Sequence, residues 1–404
     1  MRRVVITGIG IVSSLGNNKP EFWDAVSSGR SGIGPISKVD TADLRFKNAA
    51  EVKGFDASQH FDERMMMMLD PFAHFGVVAA REAIADSGIE FKDGLRGQTG
   101  VITGSCLGGK ETEDAFFYEL YANKKSRVPP IAIPRSMSNS VASHVSIEFG
   151  LTGATFTTST ACSSANHAIG QAFWLIRQGT LDAAVAGGSE APLCNGNLKA
   201  WEAMRVVAQD TCRPFSKDRG GMILGEGGAM FVLEELEAAK KRGANIYAEI
   251  VGFGMSADAH HLTMPLAEGA AKAMNAALAD ARLSLNEIGY INAHGTATQA
   301  NDPMEANAIR IVFGDNTDSI PVSSTKSMHG HTLGAAGAIE AAATVLGIDK
   351  GVLPPNANFT EIDPDCNLSV IANEAIEKSV EAAISNSFAF GGLNAVLAFR
   401  RFAE

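Results

Sequence analysis

The chain has 404 residues, of which 46% are hydrophobic and 41 are glycine, and its 34 basic and 45 acidic side chains give a net charge of −11. That length supports two domain-sized halves with cores of their own. The acidic balance argues against nucleic acid as a partner, while a local basic patch could still dock an acidic protein.

From the N-terminus, Met1-Arg-Arg followed by Val-Val-Ile-Thr-Gly-Ile-Gly-Ile-Val has the outline of a signal peptide. Glycines interrupt its apolar run and no clean small-residue cleavage site follows, so it reads as a first strand. A helical pattern spans Asp70 to Ser87, and an apolar strand follows at Thr99 to Thr103. Ala154 to Thr158 is β-branched and aromatic enough for a strand; Ser163 to Arg177 has helical spacing, and Gly179 sits where that helix would stop. Strands are predicted at Ala183 to Ala186 and Ala229 to Leu233, then a charged helix and a seam near Lys241-Arg-Gly-Ala-Asn245. Beyond it come strands at Ala248 to Gly252 and Ile288 to Asn292, with helices at Leu266 to Ala281 and Pro303 to Val312. Such alternation predicts α/β structure built from stacked βα units, divided into residues 1–245 and 246–404. No repeat or low-complexity tract shows in the letters. Gly225-Glu-Gly-Gly228 has the look of a phosphate cradle, yet it lacks a following Lys-Ser/Thr and dinucleotide spacing, so a turn between strands is expected. No run of about 18 apolar residues occurs, so no membrane span is expected. Cys106, Cys162, Cys194, Cys212 and Cys366 form no regular framework, and a reducing, cytoplasmic setting is expected.

Cys162, in Thr158-Ser-Thr-Ala-Cys-Ser-Ser-Ala-Asn-His167, falls on a predicted strand-to-helix turn. A sulfur there lies near unpaired N–H groups and the positive end of a helix dipole, which lowers a thiol pKa. On this segment alone, a buried small hydrophobe is an equal reading. Three later segments supply what a nucleophile needs, a base or electrophile partner and donors for an oxyanion. They are Asn292-Ala-His-Gly-Thr-Ala-Thr298, Ser323-Ser-Thr-Lys-Ser-Met-His-Gly-His331 running on to Glu340, and Asn386-Ser-Phe-Ala-Phe-Gly-Gly-Leu-Asn394. The last reads as a Gly-bearing turn between two strands. His329 and His331 suggest metal ligands, but no Cys or carboxylate cluster completes a zinc set, so no metal is expected. His167, His260 and His261 are expected on a helix surface or in the core.

These four segments, in this order and at these separations, resemble the β-ketoacyl-acyl carrier protein synthases of the thiolase superfamily, and the resemblance runs from Arg3 to Phe399. It implies a thiolase-like fold of two similar halves in a five-layer αβαβα arrangement. It implies a Cys-His-His triad of Cys162, His294 and His331, with Lys326 orienting and electrostatically supporting the second histidine and Glu340 as the lysine's partner. Cys162 would take an acyl group, and the two histidines would promote decarboxylation of a malonyl thioester, extending the chain by two carbons. The N–H groups of Cys162 and Phe390 match the oxyanion hole, Thr296 and Thr298 match positions that hold the phosphopantetheine arm, and Phe390 matches a gate. Leu107, Ile131 and Leu198 match positions lining the acyl pocket. No cofactor is implied beyond the phosphopantetheine on the acyl carrier protein. A dimer is implied, either a homodimer or a heterodimer with a chain-length factor. The rival reading is that this chain is itself such a factor, a catalytically inactive subunit, which usually lacks the cysteine.

Three departures are specific to this chain. Ala389 and Leu393 stand where the elongating synthases carry Gly and Thr, and Ala takes positive φ less readily than Gly, so a stiffer gate is expected. Met65 to Met68 fill a stretch where fatty acid synthases carry basic residues; buried core and an adaptable apolar contact are the two readings. The stretch from Ala191 to Phe215 looks closest to specialised synthases, of the nodulation or polyene type.

Overall fold

The computed structural model describes residues 1–403, Asp93 by its backbone alone. Ten strands form one sheet: β1 (Val4–Ser13), β2 (Thr99–Gly104), β3 (Thr155–Thr158), β4 (Ala183–Glu190), β5 (Gly227–Glu235), β6 (Ala248–Ala257), β7 (Ile288–Asn292), β8 (Val322–Ser323), β9 (Ala382–Ala389) and β10 (Leu393–Arg400). Their spatial order is β8-β7-β9-β10-β6-β1-β5-β4-β2-β3. The two halves of that order carry the same pairing. β3 and β2 are parallel, as are β2 and β4, and then β4, β5 and β1 run antiparallel. In the second half β8, β7 and β9 are parallel, and β9, β10 and β6 antiparallel. Antiparallel β1 and β6 join the halves, Val4 facing Ile250.

Four helices complete the layers: α1 (Pro71–Ser87), α2 (Ser164–Arg177), α3 (Ala267–Ala281) and α4 (Ala336–Lys350). Alternation along the strands shows where each lies, because successive side chains leave opposite faces of a sheet. Ala184 and Ala186 of β4, with Ala395 and Leu397 of β10, share one core with Phe173 of α2 and Ile339 of α4. The intervening Ala183 and Val185 pack with α1, while Val396 and Ala398 pack with α3. Hence α2 and α4 are sandwiched between the halves, with α1 and α3 outside. Burial on both faces explains why the strands read as continuous apolar runs.

Close approach of helix to strand is set by glycine. A Cβ on Gly8 or Gly10 would sit 2.0 Å from the carbonyl oxygens of Ala83 and Ala79 on α1. The second half repeats this, Gly252 and Gly254 lying against Ala277 and Ala273 of α3. Asp70 caps α1 by accepting from the Phe72 N–H (3.1 Å), Pro71 opens the helix and Gly88 at φ 62° closes it.

Two expectations need correction. The run Met65 to Met68 is core only in part: it ends a short helix, Glu63–Met68, with Met65 and Met66 half-buried against the core under α1 and Met67 62% exposed. The Gly225–Gly228 stretch is the entrance to β5 instead of a turn, and inside it the wholly buried Glu226 is ion-paired with Lys38 (2.7 Å). Among the described residues no helix is long and apolar enough to cross a membrane.

Candidate active site

β3 feeds α2 through a short 3-10 turn, Ala161–Ser163, in which Ala161 takes φ 50°. A non-glycine residue there stores about 1–3 kcal/mol of strain that the surroundings must offset. They do so locally: Ser164 Oγ accepts from the Thr160 N–H (2.9 Å), and Ser163 Oγ donates to the Thr160 carbonyl (2.8 Å). Gly104 lets the start of α2 close in, since a Cβ would lie 2.5 Å from the Ala165 nitrogen. Cys162 is thereby fixed at the head of α2, 7% exposed, in the wall of a cavity of about 330 Å³. Burial pushes its thiol up to about 12, with the Lys326 charge pulling the other way. The expectation of a lowered thiol pKa is therefore corrected. The helix end is present, but withdrawal from water outweighs it in the resting site.

His294 and His331 reach the same cavity from the second half. His294 follows β7, and its N–H and that of Gly295 donate to the buried carboxylate of Glu305 at 2.8 and 2.7 Å. His331 is threaded into the first half by its backbone: its N–H donates to Ile223 O (2.6 Å), and its carbonyl accepts from the Gly225 N–H (3.0 Å). The two rings meet edge to face, with centroids 5.4 Å apart. Lys326 donates to His294 Nδ1 (3.2 Å) and to the His294 carbonyl (2.6 Å), and is ion-paired to Glu340, both side chains being fully buried. On His331, Nδ1 accepts from the Leu333 N–H at 3.3 Å.

These contacts determine the tautomers. A neutral imidazole carries one N–H. With Nδ1 accepting on both rings, the proton on each is at Nε2. Burial, reinforced by the Lys326 charge, holds both histidines well below the ordinary imidazole range, so they stay neutral. Burial raises Glu340 to about 7, and the Lys326 ammonium draws it back.

Phe390 stands in the turn between β9 and β10, and it lines the cavity, as do Thr296 and Thr298. The positive φ values of that turn fall on Gly391 (82°) and Gly392 (68°), while Ala389 ends β9 in extended backbone. Alanine at 389 therefore sits in backbone that any residue adopts. The Thr296 and Thr298 hydroxyls are 3.0 Å apart, and the Ala297 between them, at φ 63°, donates its N–H to Asp302 (3.1 Å).

The expected pocket residues Leu107, Ile131 and Leu198 do not line this cavity. Leu198 is wholly buried in a neighbouring cluster with Leu193 and Met222, against which Leu107 packs. Ile131 lies half-buried before the helix Ala132–Ser136. His261, expected outside the site, lines the cavity mouth. Glu305 and Trp201 belong to the site region, and only the position of Glu305 on the helix Asn301–Phe313 beside the His294 loop could have flagged it. His167 and His329 take structural bonds, to Thr160 Oγ1 and Thr325 Oγ1, each at 3.0 Å.

Residues 1–239 match the family described as beta-ketoacyl synthase, N-terminal domain, and residues 247–360 match its C-terminal domain. The chain belongs to the beta-ketoacyl synthase family of condensing acyltransferases, with the family's thiolase-like fold. Nodulation protein E of Rhizobium sp. (strain N33) is 48% identical over 400 residues, 99% of either chain. The 3-oxoacyl-[acyl-carrier-protein] synthase 2 of Staphylococcus aureus (strain N315) is 39% identical over 408 residues, again 99% of either chain. Among solved structures, the ishigamide ketosynthase/chain length factor superposes with a TM-score of 0.96 at 36% identity, covering 100% of both chains.

Proposed function

We propose that this enzyme is a carrier-protein-dependent 3-oxoacyl synthase acting through Cys162, His294 and His331. One observation carries the reading: a thiol from residues 1–245 and two neutral imidazoles from residues 246–404, each protonated at Nε2, line one cavity. Cys162 attacks an acyl thioester, the carrier thiol departs with the cysteine's proton, and the acyl group stays on sulfur. A malonyl thioester then enters, and its carbonyl oxygen accepts from the two Nε2–H groups. Those donors stabilise the enolate as carbon dioxide leaves. The carbanion attacks the acyl carbon, and the resulting oxyanion is held by the N–H groups of Cys162 and Phe390. Losing one such donor generally costs roughly 3 kcal/mol in the transition state. Collapse expels the Cys162 thiolate and leaves a 3-oxoacyl chain two carbons longer.

Lys326 serves this sequence by fixing the His294 tautomer, with Glu340 neutralising it in the dry interior. Thr296 and Thr298 hold the phosphopantetheine arm, which arrives on the carrier, so no resident cofactor is needed. The acyl chain is read by the cluster of Leu107 and Leu198 behind the cavity wall. Similarity to a nodulation protein favours a specialised chain over ordinary fatty acid elongation. The chain-length-factor reading is disfavoured by a thiol set opposite two imidazoles. All five cysteines are free, which supports a reducing, cytoplasmic setting.

The two ends of the sheet support a dimer. β8 is covered by the chain's own Ser369–Ile371, through the Val322 N–H to Ser369 O and the Ile371 N–H to Val322 O, both 2.9 Å. β3 ends the sheet on the other side with Phe156 37% exposed, and the helices Ala132–Ser136 and Ser140–Phe149 carry Ile133 and Ile147, 69% and 76% exposed. An open apolar edge of this kind is a template for a second strand. Ile131, next to that patch, would then reach the partner's acyl pocket.

Incubating the Cys162→Ala variant with malonyl-carrier substrate tests the core assignment. Condensation should vanish while carbon dioxide release persists; full condensation by this variant would overturn it.

A further inference from the structure

Trp201 has no role in the scheme above. It stands on the helix Asn195–Met204, one turn beyond the wholly buried Leu198, and packs on the cluster of Leu193, Leu198 and Met222. Its indole also stacks on Phe390, with centroids 6.1 Å apart and planes at 27°. Both rings line the cavity that contains Cys162. One ring is thus anchored to a packed core, and the other is carried beside two residues at positive φ, Gly391 and Gly392. A stacked pair with one fixed and one hinged member has the form of a catch.

We propose that Trp201 is the positioning residue of the gate: its indole holds the Phe390 ring closed and the Phe390 N–H on station, letting the ring swing aside only while an acyl group passes and taking it back for condensation. The inference rests on Phe390 being gate and oxyanion donor. In acylation the bond from Cys162 sulfur to the acyl carbon forms, the carrier's sulfur–acyl bond breaks, and the thiol proton leaves on the carrier sulfur. Trp201 takes no part in that exchange and acts only through Phe390. An aromatic pair shifts such an equilibrium by up to about tenfold. Both acylation and condensation pass through an oxyanion, so removing the indole weakens a donor in each; the open gate speeds entry and offsets that loss in acylation, while condensation has no such gain and slows.

The chain has three tryptophans, Trp23, Trp174 and Trp201, so emission can follow the stack directly. Wild type, Trp201→Phe and Trp201→Leu are each mixed with octanoyl-pantetheine while mass spectrometry follows acylation of Cys162. Wild-type emission should change transiently while Cys162 is being acylated and recover as the gate recloses, and Trp201→Phe should show no such change. Trp201→Leu should acylate at least as fast as wild type yet condense about tenfold more slowly, and Trp201→Phe should restore condensation to within about threefold of wild type. Unchanged wild-type emission during proven acylation would sink the proposal, as would Trp201→Leu slowing both steps alike. A wild type that never gains the acyl mass on Cys162 would instead sink the parent reading along with it.

Discussion

Exchanging Lys326 for Met removes the only cation bonded to Glu340 among the described residues, at a place where neither side chain is exposed. Breaking such a pair from one side generally costs about 3–5 kcal/mol, a large part of the roughly 5–15 kcal/mol that holds a domain together. One Glu340 oxygen, Oε2, already lacks a partner, so the remaining charge has no local relief. It must take up a proton, and this gives the effect a pH signature. Burial already raises Glu340 from 4.5 to about 7 with the lysine present, and removing the lysine raises it further. A group whose folded pKa exceeds its unfolded value binds the proton more tightly in the fold. The deficit of the variant relative to wild type therefore grows as pH rises above about 7 and levels off below it, where the carboxyl is protonated in both folds. Urea unfolding at about pH 8 and about pH 5 reads this directly. The double variant Lys326→Met, Glu340→Gln leaves no buried charge and should recover most of the stability. It should not recover malonyl decarboxylation, because His294 has lost the donor at Nδ1. A loss under about 1 kcal/mol that is equal at both pH values, or a double variant with full decarboxylation, would refute the argument.

Other expectations follow from the same geometry. Alkylation of Cys162 by iodoacetamide should still be accelerating at about pH 9, as burial pushes the thiol up to about 12; a plateau below about pH 8 would show the helix end prevailing. Gly254→Val should abolish soluble expression, because its Cβ would lie 2.1 Å from Ala273 O, whereas Gly243→Ala, with open space around it but φ 70°, should cost only about 1–2 kcal/mol in urea unfolding. Thr296→Ala with Thr298→Ala should raise KM for carrier-borne substrate several-fold and leave the Tm nearly unchanged. Leu198→Phe should overpack its cluster by about 1–3 kcal/mol and shorten the accepted chain; unaltered product length would remove Leu198 from the acyl path.

Much of the fold was legible because local rules and tertiary structure agree. Asp70, Pro71 and Gly88 bracket α1, Gly179 follows the end of α2, and β7 begins and ends where its apolar run does. Strands β4, β5 and β6 outrun their predicted ends, because their glycines and polar residues, Gly187 and Ser189 among them, are buried by neighbours that the sequence does not show. The duplication was missed in the letters, though Gly8-Ile-Gly10 and Gly252-Phe-Gly254 record it, since only the approach of a helix makes those pairs equivalent. Cys162, His294, His331, Thr296 and Thr298 of the cavity lining were legible as motifs, whereas His261 was not. Trp201 was not, because its meaning comes from a ring nearly two hundred positions away. The thiol's direction of titration was misread for a related cause: sequence shows the helix that follows Cys162 but not the depth at which the sulfur is buried.

The approach of α2 and α4 has a mechanical consequence. A Cβ at Gly337 would lie 2.3 Å from Asn166 Oδ1, so the backbone of α4 rests directly on the Asn166 side chain of α2. Each helix starts directly behind one reacting group, Cys162 or His331. That glycine and the Asn166 amide thus set the spacing between nucleophile and electrophile. Any bulk added there would wedge the pair apart, silencing the enzyme with every chemical group intact.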